Sequence, residues 1–193
     1  MARTCGNCGV SIEGKRANAT FCSDRCRVYF ARKQRALPVE LTSKDRWVEW
    51  RPVKRGARWT KLPVTPSGVN ASSTDSRTWS PFAGCGSKRR GFVLGAGVGC
   101  VDFDHMIVDG VLDPAAAKIL ESVPRTFIEV SPSGDGLHVW GLLPEARGRR
   151  FVKGGVNVEI YSAARYMTVT GDRWNGSPST LADLSGFVDV LMA

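Results

Sequence analysis

The sequence has no apolar run approaching the roughly 20 residues that a membrane span needs. The longest, from Phe92 to Val101, is interrupted by Gly95, Gly97 and Gly99. The N-terminal Met-Ala-Arg-Thr-Cys holds no apolar stretch able to act as a secretory signal. The expectation is a cytoplasmic protein with reduced thiols and no membrane partner. Histidine is scarce: His105 and His138 are the two in 193 residues. Acids are outnumbered, 18 Asp and Glu against 27 Lys and Arg, which leaves a formal charge of +9. That surplus favours polyanionic partners, nucleic acid first among them. There is no internal repeat and no low-complexity tract, and a hydrophobic share of 42% suffices for a packed core.

Six cysteines are present, and four of them cluster. Cys5-x-x-Cys8 is followed by Cys22 and Cys26, a pairing that in a reducing compartment predicts one tetrahedral, structural Zn²⁺. Gly6 and Gly9 permit the tight turn of a zinc knuckle. A helix is expected from Asp24 to about Arg35 with Ser23 as its N-cap, which sets Cys22 and Cys26 on one face. A unit of residues 1–36 buries little, so its metal would supply much of its folding free energy. Its helix carries Arg25, Arg27, Arg32, Lys33 and Arg35, with Tyr29 and Phe30 interleaved. That composition suits phosphate contact and base stacking, or a solvated basic face over a small core.

Residues 37–43 read as a linker after Leu37-Pro38, and a second domain spans 44–193. Its most informative stretch is Val101-Asp102-Phe103-Asp104, a strand that projects both aspartates from one face. Carboxylates about 7 Å apart on one face repel unless a cation sits between them, a geometry suited to Mg²⁺ or Mn²⁺. Taken alone, the pair also fits two solvated acids at a strand end.

Elsewhere, Arg46–Arg51 and Arg58–Val64 read as paired strands. Thr74 or Asp75 would cap a short helix running to about Phe82, and Lys88-Arg89-Arg90 forms a basic turn. The Gly95–Gly99 stretch leads into a strand rather than a helix, which excludes a dinucleotide fold and suggests a hairpin of Phe92–Leu94 with Val98–Asp104. Asp113-Pro114 opens a helix. Ser131–Gly136 is a small-residue loop whose backbone N–H groups and hydroxyls suit phosphate oxygens, and His138 lies on the strand beyond it. Val156–Tyr161 alternates, with Asn157, Glu159 and Tyr161 on one face. Ser179 or Thr180 is the expected cap of a last helix.

Val-Asp-Phe-Asp (101–104), Ser-Pro-Ser-Gly-Asp-Gly-Leu-His (131–138) and Val-Glu-Ile-Tyr-Ser (158–162), followed by Arg-Tyr-Met-Thr-Val-Thr-Gly (165–171), together carry a resemblance. They are similar to the bifunctional primase–polymerase domain of phages and plasmids, in the archaeo-eukaryotic primase superfamily. Trp47-Val48-x-Trp50, Lys61-Leu62-Pro63 and Trp79 fit as well. The resemblance implies an α+β fold: an RRM-like antiparallel or mixed sheet with flanking helices, preceded here by the four-cysteine module. It implies two Mg²⁺ or Mn²⁺ ions held by Asp102, Asp104 and Glu159, with His138 on the phosphates of the incoming NTP or dNTP. Ser131, Ser133, Gly134, Arg165 and Lys61 are the further nucleotide contacts expected. The implied reaction is template-directed nucleotidyl transfer, as DNA primase, DNA polymerase or both, on a single-stranded DNA template and primer. A separately encoded helicase is an expected partner. The competing readings are a metal-dependent nuclease or other phosphodiesterase, and a non-catalytic zinc-bearing nucleic-acid adaptor.

Overall fold

Alternation with period two dominates the second unit, and the computed structural model resolves it into short strands with few helices. The structure describes residues 3–5, 7–34, 36–86 and 89–193, without the side chains of 30–34. Gly6, Arg35, Lys88 and the side chains of Phe30, Arg32 and Lys33, invoked above, lie outside the described residues. The chain forms two compact units, Met1–Ala36 and Leu37–Ala193. Among the described residues no helix is long and apolar enough to cross a membrane.

In the first unit, Gly9 takes φ +73° and closes a turn in which its N–H reaches Cys5 O at 3.0 Å. Helix α1 (Asp24–Gln34) follows. Ser23 Oγ accepts from the Cys26 N–H at 3.2 Å, the capping bond expected from the sequence. The sulfurs of Cys5, Cys8, Cys22 and Cys26 all lie within 4.8 Å of one another. Cys8 and Cys22 are 3.6 Å apart, and Cys22 and Cys26 3.4 Å. Four sulfurs each 2.3 Å from one ion at tetrahedral angles would sit about 3.8 Å apart. The donor set therefore fits a metal ion such as zinc. Asn7 donates to Cys26 Sγ at 3.5 Å and, with Cys22, holds that thiol's pKa down, toward the thiolate a metal requires.

The second unit begins with helix α2 (Val39–Thr42), then β1 (Trp47–Arg55), β2 (Arg58–Val64), β3 (Arg90–Val93) and β4 (Val98–Asp104). The small β5 (Ile107–Val108) and β6 (Val111–Leu112) precede helix α3 (Pro114–Leu120). The remainder is β7 (Ile128–Val130), β8 (Leu137–Leu142), β9 (Arg149–Lys153), β10 (Val156–Tyr161), β11 (Tyr166–Val169), β12 (Ala182–Asp183) and helix α4 (Ser185–Met192). One sheet has the order β11-β3-β1-β2. A larger sheet has the order β12-β8-β4-β10-β9, with β7 also paired to β8. All pairings are antiparallel except β12 with β8. The fold is mixed α+β.

The larger sheet is buried on both sides by different partners. Val101, Phe103, Leu137, Val139, Val158 and Ile160 pack with Ala116 of α3 and with Phe187 and Leu191 of α4. From the opposite face, Val98, Cys100 and Trp140 meet Trp47, Phe92 and Met167 of the smaller sheet. Phe92 meets Trp47 and Trp140 edge-on, with centroids 5.4 and 6.2 Å away.

Four local expectations differ from this arrangement. Residues 37–43, read as a linker, are built into the second unit: Leu41 is fully buried, and its carbonyl accepts from Trp47 Nε1 at 3.1 Å. β3 and β4 do not form a hairpin with each other. The chain turns at Gly95–Val98 and passes from the smaller sheet to the larger, with Arg46 donating to Val93 O and Leu94 O across the exit. Asp75 caps a single 3-10 turn, Ser76–Thr78, and Trp79 is already extended. Finally, Ser179 and Thr180 precede β12 rather than α4, whose first N–H is taken by Asp183 Oδ1. Asp113 does cap α3 as expected, accepting from the N–H groups of Ala115 and Ala116, with Pro114 at the first position.

Candidate functional site

A row of polar side chains crosses the larger sheet at right angles to its strands. The register pairs Glu129 on β7 with His138 on β8, His138 with Asp102 on β4, Asp102 with Glu159 on β10, and Glu159 with Arg150 on β9. Directly paired residues face the same way, with Cβ atoms about 4.5–5.5 Å apart. All five therefore share the face toward the smaller sheet, one step beyond the apolar Cys100 and Trp140. Asp104 continues this face two residues further along β4.

The row opens into a cleft of about 570 Å³ lined by Asp102, Asp104, His138, Ser131 and Ser133 from one side. Lys61 and Trp59 of β2, with Arg165 and Tyr166 at β11, line the other. The serine loop is pinned against the end of β4. A Cβ on Gly136 would lie 2.6 Å from Phe103 O, so only glycine allows this approach. Gly134 makes the turn at φ +87°, and the hydroxyls of Ser131 and Ser133 are 2.8 Å apart. Asp135 O accepts from the N–H groups of Met106 and Ile107, and its carboxylate pairs with His105.

The acids are not alike. Asp102 Oδ1 is buried and has no hydrogen-bond partner among the described residues; its nearest cation is His138 Nε2, 3.7 Å away. Burial, partly offset by His138 and reinforced by Asp104 and Glu159, pushes its carboxyl up to about 6 from the usual 3.8. Asp104 is half-buried, with no hydrogen bond to another described residue. Glu159, by contrast, is occupied. It pairs with Arg150, accepts from Tyr161 OH at 2.7 Å, and has Arg165 Nη2 at 3.7 Å. It faces an adjoining groove, shared with Asp104 and Arg150, rather than the cleft itself.

An orphaned, buried carboxylate oxygen beside a second open carboxylate fits a hard cation. Asp102 and Asp104 are thus the pair suited to hold one. Without it, an ionised Asp102 destabilises the fold. Its native pKa lies above the unfolded value, so the native state binds the extra proton between about pH 4 and 6. Stability falls as pH rises through that window, by up to about 3 kcal/mol. Asp102→Asn is expected to raise the melting temperature at pH 7.5 in metal-free buffer and to flatten this slope, as measured by melts at pH 5 and 7.5.

His138 is fully enclosed between acids. Burial alone would lower its pKa, but the bond to Glu129 and the charges of Glu129 and Asp102 outweigh this and raise it. Its Nδ1 lies 3.2 Å from Glu129 Oε1. Glu129 also accepts from Trp140 Nε1 at 3.0 Å, from the N–H and hydroxyl of Thr170 at 3.0 and 3.1 Å, and from Gly171 N–H at 2.7 Å. The sequence reading missed Glu129, Arg150 and Trp59. An acid centred in the otherwise apolar Phe127-Ile128-Glu129-Val130 was the available signal for the first.

The cleft thus has carboxylates on its floor and cations on its walls. No family model matches the chain. The sequence is 36% identical over 151 residues to the DNA primase-polymerase of Nitratiruptor phage NrS-1, covering 70% of this chain and 20% of that protein. The chain belongs to the primase–polymerase family and spans about a fifth of the length of the curated relative it matches.

Proposed function

We propose that residues 44–193 form the primase-like catalytic core of a template-directed nucleotidyltransferase, acting as DNA primase, DNA polymerase or both. The observation that carries the reading is the meeting of Asp102, Asp104 and His138 with the Ser131–Ser133 loop, Lys61 and Arg165 around one cleft. Its volume, about 570 Å³, suits a nucleoside triphosphate. Kinship with a protein named DNA primase-polymerase supports the same reaction class.

In this reading Asp102 and Asp104 hold Mg²⁺ or Mn²⁺. Glu159, paired with Asp102 in the register, would be the third acid of the set; Arg165, 3.7 Å away, is the longest of its present polar contacts. Such ions, when bound, lower the pKa of the attacking 3′-hydroxyl and neutralise the leaving pyrophosphate. His138, fixed by Glu129, directs Nε2 into the cleft as a donor to a phosphate oxygen. The hydroxyls of Ser131 and Ser133 and the turn at Gly134 surround the phosphates, while Lys61 and Arg165 balance their charge. Arg165, stacked on Tyr161 with its guanidinium carbon 4.3 Å from the ring centroid, is pre-oriented for that role.

Incorporation of labelled nucleotide on single-stranded DNA, with and without primer and in Mg²⁺ or Mn²⁺, tests the proposal. Cleavage of the DNA without incorporation would point to a phosphodiesterase instead. For residues 1–36 we propose a structural Zn²⁺ on Cys5, Cys8, Cys22 and Cys26. Metal analysis of freshly reduced protein is expected to give one zinc per chain. Cys22→Ser should weaken retention against a chelator by at least about tenfold. Template, primer and a helicase activity are the partners this function calls for.

A further inference from the structure

The β1–β2 hairpin borders the cleft, and over residues 50–64 its charge is of one sign. This stretch contains Arg51, Lys54, Arg55, Arg58 and Lys61 and no acid. The register places Trp50 opposite Pro63, Pro52 opposite Lys61, and Lys54 opposite Trp59, so these six share one face. Trp59, Lys61 and Pro63 of that face line the cleft that holds Asp102 and Asp104. Trp59 is 68% exposed, among the most exposed large apolar side chains described. Trp50, at the base of the hairpin, has Lys61 Nζ and the Arg89 guanidinium 5.8 and 5.5 Å from its ring centroid.

We propose that this hairpin face is the platform for the single-stranded nucleic acid, with Trp59 stacking on an unpaired base and Lys54 and Lys61 following the phosphates. The proposal rests on the reading that the cleft acts on a nucleic-acid strand. Three features select this occupant. Seven paired positions extend about 20 Å, longer than one nucleotide needs and enough for several. The cations Lys54 and Lys61 on this face, in a stretch, 50–64, whose own residues include no acid, complement a phosphate chain. An exposed indole offers a π-face that only an unstacked base can meet, which favours a single strand over a duplex.

Fluorescence anisotropy of labelled oligo(dT) on the full chain, without added divalent metal, provides the test. Trp59→Ala is expected to weaken binding roughly tenfold, and Trp59→Phe to recover most of the loss. The double change Lys54→Gln, Lys61→Gln should reduce the slope of log affinity against log salt by about 1.4, close to 0.7 for each phosphate contact. Trp59 is exposed, so its loss leaves the core intact. Wild-type affinity and slope in both variants would overturn the platform. Nucleotide addition measured on the same samples separates the two ideas. Wild-type protein that binds oligo(dT) through these side chains but adds no nucleotide would sink the transferase reading and leave the platform standing. Wild-type protein that adds nucleotides, with binding indifferent to the hairpin changes, would sink the platform alone.

Discussion

Asp104→Ala is expected to lower nucleotide addition to a primed template by about 10³-fold or more while leaving the fold unchanged. The size follows from the role. A carboxylate that holds a catalytic cation stabilises developing charge by several kcal/mol, and each 1.4 kcal/mol is a factor of ten. The intact fold follows from the contacts. Asp104 ends β4, is half-buried, and receives no hydrogen bond from another described residue, so its removal strands no partner. It also relieves Asp102 of a neighbouring negative charge. Primer extension would read the loss, and circular dichroism with thermal melting would read the fold. Undiminished incorporation by this variant would contradict the assignment of the aspartate pair.

Glu129→Ala should act in the opposite way, on stability first. The carboxylate is completely buried and is the common acceptor for His138, Trp140, Thr170 and Gly171. Deleting it leaves these donors enclosed with nothing to bond, and puts a buried imidazole beside Asp102 with no second acid to hold it. The expected cost is about 3–5 kcal/mol, or on the order of 10 °C in melting temperature for a domain of this size. Glu129→Gln keeps the volume and one acceptor oxygen, so its cost should be smaller. The ¹⁵N shifts of the His138 ring distinguish orientation from mere support. Loss of the Nδ1 bond should move them in Glu129→Ala and, with an acceptor oxygen retained, less in Glu129→Gln, whereas unchanged shifts in Glu129→Ala would mean that Glu129 does not position the ring.

Period-two alternation made much of the site legible in advance. Asp102 and Asp104 had to share a face, as did Glu159 with Tyr161, and the structure joins the two sets by direct register. What alternation cannot supply is which strands adjoin. Glu129 became visible only once β7 lay beside β8 and the Thr170–Gly171 turn folded over it. The occupation of Glu159 by Arg150 likewise depends on β9 lying next to β10. The same blindness to partner choice explains the expected β3–β4 hairpin. Glycines at 95 and 97 do permit a turn, but local sequence does not say that Phe92 and Cys100 belong to different sheets. The linker expected at 37–43 was misread because Leu37-Pro38 ends a helix whether or not the chain then docks. The fully buried Leu41, with Leu37 packed against the same core, decides that it does.

Because the polar row is assembled one residue per strand, the domain's tolerance of insertions and deletions should be sharply uneven. A codon added between Cys100 and Val101 would turn both aspartates toward α3 and α4 and bring Val101 into the cleft. The same addition in β8 or β10 would remove His138 or Glu159 from the line. At the Gly154–Gly155 turn between β9 and β10, where both residues take positive φ, an extra residue alters no register. A scanning library of single-codon insertions would therefore lose activity in bands that mark the row, with permissive gaps at the turns.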